Sequence, residues 1–112
     1  MKSNRTIIDG IAVLDEAGLI PFKAKAHLDL AARKERGERV DSKDVRKHKN
    51  DVFRLVQILD PMRKVDLPDA IRIDMAEFCQ KVLREGAPMK QLSIRATVEE
   101  SVNMIKSVYG LD

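Results

Sequence analysis

Tryptophan is absent from this 112-residue chain, and aromatic residues make up only 4% of it. A core organised around large rings is therefore excluded, and the interior must be aliphatic, built from Leu, Ile, Val, Ala and Met. Cysteine occurs once, at Cys79. A lone thiol excludes an internal disulfide framework. Beside the apolar positions of its segment it reads as a small buried hydrophobe. Long hydrophobic runs are also missing. No segment approaches the ~20 apolar residues a membrane span needs. The opening residues, Met1 to Thr6, are polar and lack the apolar run of a signal peptide. These absences predict a cytoplasmic protein that does not enter the membrane.

Charge is plentiful. Charged residues make up 35% of the chain and hydrophobic residues 44%, an ordinary globular balance with a heavily charged surface. The length suits one domain, able to bury roughly two-thirds of its unfolded surface. The net charge is +3, and the cations crowd between Arg33 and Arg54. Such a stretch can attract nucleotides or nucleic acid. Here it is cut by Glu35, Glu38, Asp41, Asp44 and Asp51, and its plainer reading is a solvated face.

The pattern predicts a mainly α fold: a four-helix domain with a short N-terminal β-hairpin or sheet-edge strand. The hairpin is expected over Thr6 to Leu14, where β-branched residues flank an Asp9-Gly10 turn signal. The first helix is expected over Ile20 to Arg36, with Pro21 in its first turn and Gly37 at its end. The second runs from Ser42, capped by Asp41 or Ser42 itself, to Leu59 before Asp60-Pro61. The third extends from Pro68 to Gly86. The fourth opens at Thr97 with a capping box and ends before Gly110. Ile71, Met75, Phe78 and Val82 share one face of the third helix. Val98, Val102, Ile105 and Tyr109 share one face of the fourth.

Candidate chemistry lies on the first two helices. At about 100° per residue, Lys23 and His27 form a polar island inside a wide apolar arc. A lysine in apolar surroundings costs free energy unless it meets an anion, so the island is a candidate phosphate or carboxylate contact. On the second helix Asp44, His48 and Asp51 form a carboxylate–imidazole–carboxylate column. The short Gly37 to Val40 link favours an antiparallel helix pair, which would let Asp51 meet Lys23. No second His or Cys cluster completes a metal shell, so no metal is expected.

Two runs carry a family likeness. Leu19-Ile-Pro-Phe-Lys23-Ala-Lys25-Ala-His27-Leu-Asp-Leu resembles the "L-x-x-x-K-x-x-A" helix of AbiEii-type nucleotidyltransferase toxins, the abortive-infection and toxin–antitoxin family. Asp41-Ser-Lys-Asp44-Val-Arg-Lys47-His48-Lys49-Asn50-Asp51-Val-Phe-Arg54-Leu55 is similar to the basic-then-Asp helix that follows. The likeness covers roughly Asp9 to Leu59. It implies that Lys23 contacts nucleotide phosphate, that Asp51 orients Lys23 or the substrate, and that Lys49 stands near the family's basic position. Lys23, His27, Lys49 and Asp51 are thus the expected nucleotide-binding residues, with Asp44 and His48 behind them.

The family holds its catalytic Mg²⁺ with a Gly-Ser motif followed by Asp-x-Asp. Neither sequence occurs in this chain, so no catalytic residue is assigned. The expectation is the C-terminal helical part of a longer nucleotidyltransferase-like protein. Mg²⁺ and NTP would act only with the missing N-terminal half, as a domain or a separate partner. The alternative is a non-enzymatic module that docks a protein or RNA, or a second copy of itself, through residues 5 to 15.

Overall fold

The computed structural model describes residues 15–111 and, upstream of these, only the backbone of Ile7–Ile8 and Ile11–Ala12. Those two dipeptides are paired antiparallel, but two residues a side do not support the expected strand or hairpin as an element of the fold. The rest of that expectation lies outside the described residues. Among the described residues the protein is mainly helical: α1 (Glu16–Glu35), α2 (Ser42–Val56), α3 (Asp69–Glu85) and α4 (Val98–Tyr109).

Helix α1 starts four residues earlier than its sequence suggests. Asp15, in an extended conformation, accepts a hydrogen bond from the Gly18 N–H at 3.0 Å and caps the helix there. The other Asp15 oxygen lies 3.1 Å from Arg63 Nη2, which holds the cap from the loop after α2. Pro21 consequently sits inside the helix rather than in its first turn. A proline at that point has no N–H for the carbonyl four residues back, which is Ala17. The buried Tyr109 hydroxyl, at the end of α4, donates to that same carbonyl at 2.6 Å. The donor that Pro21 lacks is supplied from 92 residues away.

Helix α2 is capped by Asp41, whose carboxylate accepts from the Lys43 N–H at 2.8 Å. It ends at Val56, before the expected Leu59. Residues 57–59 continue in a tighter turn, with the Ile58 and Leu59 N–H groups donating three residues back, to Leu55 and Val56. Helix α3 matches its expected span to within a residue at each end. Helix α4 carries the expected capping box between Thr97 and Glu100. It closes on Gly110, whose φ of +67° is the left-handed conformation glycine adopts freely. Arg72 of α3 donates to the Tyr109 and Gly110 carbonyls at 3.1 and 2.7 Å, which satisfies the end of α4.

The helices share one core. Ile20 and Ala24 of α1, Val52, Phe53 and Val56 of α2, Met75, Phe78, Cys79 and Val82 of α3, and Val102, Ile105 and Val108 of α4 are all buried. Apart from Phe53, Phe78 and Tyr109 this core is aliphatic and sulfur-bearing, as the composition requires. Burial pushes the Cys79 thiol up to about 11, so it serves as packing. Helices α1 and α2 run antiparallel: Lys23 meets Asp51, and one turn later His27 meets Val45.

Candidate functional site

Lys23 and Asp51 come together where α1 crosses α2. Lys23 Nζ lies 3.1 Å from Asp51 Oδ2, with the side chains 28% and 19% exposed. The other Asp51 oxygen receives Arg54 Nη1 at 3.3 Å. The carboxylate thus bridges two cations. Lys23 spends one of its three N–H donors on it and remains partly open to solvent. This is the pairing that the antiparallel packing favoured by the short Gly37 to Val40 link would allow.

His27, one turn along α1, is buried with 2% exposure. Its Nδ1 is 2.9 Å from the Val45 carbonyl oxygen. A carbonyl only accepts, so Nδ1 carries the proton and Nε2 of the neutral ring is a lone-pair acceptor. That Nε2 is buried and has no partner in the chain. The ring stands edge-on to Phe78, with centroids 5.7 Å apart. Burial lowers the His27 pKa below its ordinary value, and the charges of Lys81 and Lys49 add to the effect. The Val45 hydrogen bond and Glu85 oppose it.

Lys49 does not join Lys23. It reaches across to the end of α3, where Nζ donates to the Gly86 carbonyl at 2.9 Å and lies 3.9 Å from Glu85 Oε1. Lys81 donates to the same Glu85 oxygen at 2.8 Å. The four predicted residues therefore divide into a Lys23–Asp51 pair and a second cluster of His27 and Lys49 with Lys81 and Glu85. The sequence reading missed Lys81 and Glu85. The available signal was their spacing: with Phe78 they fall at i, i+3 and i+7 on one face of α3.

The Asp44–His48–Asp51 column does not act as a unit. Asp44 is exposed in the first turn of α2, where its charge suits the helix N-terminus. His48 is half-buried with Nδ1 unpartnered, and Asp51 faces Lys23 and Arg54. Among the described residues no three His, Cys, Asp or Glu side chains converge as a metal shell. Nor is any described helix long and apolar enough to cross a membrane.

A separate apolar groove of about 250 Å³ opens between the starts of α1 and α3, lined by Gly18, Pro21, Phe22, Ala70 and Ile71. Phe22 at its edge is 53% exposed. Lys25 and Asp74, 3.5 Å apart, form its charged rim.

No family model matches this chain, and neither does any of the curated proteins or solved structures compared with it.

Proposed function

We propose that this chain is the helical, nucleotide-contacting part of a nucleotidyltransferase of the AbiEii type. It would bind nucleotide phosphate through Lys23 without turning it over, because it lacks the Asp-x-Asp carboxylates that hold the metal. The observation that carries the reading is the Lys23–Asp51 ion pair. The two positions that resemble the family's motif lysine and motif aspartate come from separate helices and meet in one partly open pair. Asp51 fixes the ammonium in place, and the remaining Lys23 donors are available to a phosphate oxygen.

Calorimetric titration with each NTP tests this, on the parent chain and on Lys23→Ala. A charge-assisted contact is worth about 1.5–3 kcal/mol. Its loss therefore weakens affinity by about tenfold or more, with no product formed by either protein. Equal affinity in parent and variant would remove the reading.

A second reading, a non-enzymatic module that docks a protein, is favoured by the exposed Phe22 over an apolar groove. Large side chains in that position are common at protein contacts.

A further inference from the structure

The cluster at the junction of α1, α2 and α3 holds more positive charge than it balances. Lys49 and Lys81 are only 13% and 16% exposed, low for a residue type that normally stays in water. They share one carboxylate, Glu85, whose own side chain is 45% exposed. Lys49 also donates to the Gly86 carbonyl at the α3 C-terminus, which occupies one of its donors. One ammonium charge is left uncompensated where solvent is largely excluded, a costly arrangement without an anion. His27 bonds the Val45 carbonyl of α2 and packs edge-on to Phe78 of α3, and Lys49 and Lys81 stand one turn further along those two helices. The His27 Nε2 lone pair is buried and has no donor.

We propose that Lys49, Lys81 and His27 form a seat for a hydrogen-bearing phosphoryl group, which displaces the half-exposed Glu85 carboxylate. The phosphoryl oxygens accept from the two ammonium groups. The phosphoryl O–H donates to His27 Nε2, the acceptor that the Val45 hydrogen bond leaves without a proton. Inorganic phosphate near neutral pH always carries such a proton, and a phosphate monoester carries one on part of its population, since its second pKa is about 6. A carboxylate or sulfate at that pH is an acceptor only and leaves Nε2 unmet. Glu85 occupies the lysines in the ligand-free chain as an internal substitute. If the nucleotide reading holds, the terminal phosphate of that nucleotide sits here, but the seat does not depend on Lys23.

The test is a titration of the full chain with inorganic phosphate and, in parallel, sulfate. The His27 ring nitrogens are followed by ¹⁵N NMR, and the urea midpoint of each protein verifies folding. The expected result is a saturable shift of Nε2 with phosphate, with sulfate weaker by about tenfold for the lost hydrogen bond. Lys81→Met weakens phosphate binding by at least that factor, and Glu85→Gln strengthens it by removing the internal competitor. The nucleotide reading fails on NTP affinity in Lys23→Ala and this one on the Nε2 shift with phosphate in the parent and Lys81→Met, so loss of one and loss of the other are separable. An unmoved Nε2 in the folded parent overturns the proposal. So does equal binding of phosphate and sulfate, or phosphate binding indifferent to both Lys81→Met and Glu85→Gln. A titration with ATP distinguishes a nucleotide's phosphate from the free ion.

Discussion

Replacing Tyr109 by Phe removes one oxygen atom and leaves the ring where it packs. In this protein the oxygen has a particular task. Pro21 deprives the Ala17 carbonyl of its helical donor. The Tyr109 hydroxyl, 2.6 Å away, replaces that donor in a site where Ala17 and Tyr109 are both buried. Without the hydroxyl the carbonyl is left desolvated and unbonded, which costs about 1–3 kcal/mol. For a domain of this size that lowers Tm by about 4–12 °C. Urea unfolding measures the cost as a shift of the midpoint at constant slope. The discriminating step is a double-mutant cycle with Pro21→Ala, which restores the backbone N–H to Ala17. In that background Tyr109→Phe costs about 1 kcal/mol less, because the carbonyl keeps a donor either way. A Tyr109→Phe protein as stable as the parent would refute the argument. An identical cost with and without Pro21 would also refute it, since the hydroxyl would then not be compensating for the proline.

Two further outcomes follow from the same geometry. Burial holds the His27 pKa below its ordinary value, so the unfolded chain binds the proton more readily than the folded one. Stability is then level above about pH 6.5 and falls as pH drops below it, towards the folded-state pKa. His27→Leu flattens that dependence in a series of urea midpoints between about pH 5 and 8, and an unchanged slope in the variant counts against the assignment. A docking role for the α1–α3 groove, a surface distinct from residues 5 to 15, expects the parent chain to self-associate or to bind a protein there. Phe22→Ser abolishes that association, measured by light scattering after gel filtration or by pull-down, without changing the unfolding free energy by more than about 0.5 kcal/mol.

The helices were legible where an end carries a local chemical signal. Asp41, Thr97 and Gly110 act on backbone groups within a few residues of themselves, so capping rules locate the start of α2 and both ends of α4, and periodicity locates α3. The start of α1 was misplaced because Pro21 ordinarily marks a first turn. The group that lets it sit deeper, the Tyr109 hydroxyl, is remote in sequence, and nothing near Pro21 announces it. The same division runs through the candidate site. Lys23 and His27 stand out as polar residues on an apolar arc, and the short link to α2 makes the Asp51 pairing foreseeable. Lys49 could not be placed from α1 and α2 alone, because its partners Glu85 and Gly86 belong to α3. The direction in which a long side chain reaches depends on which helix arrives beside it.

The Tyr109–Ala17 hydrogen bond also bears on the order in which the chain acquires its shape. Synthesis delivers α1 first and the end of α4 last. Until Tyr109 has docked, the Ala17 carbonyl can be satisfied only by water, so the first turns of α1 stay solvated and loosely held. The α1–α2 hairpin is close in sequence and can form early, yet its leading end is completed only when the final helix closes over it. The end of α4 thus acts as a latch on the start of α1, and the four helices become one cooperative unit.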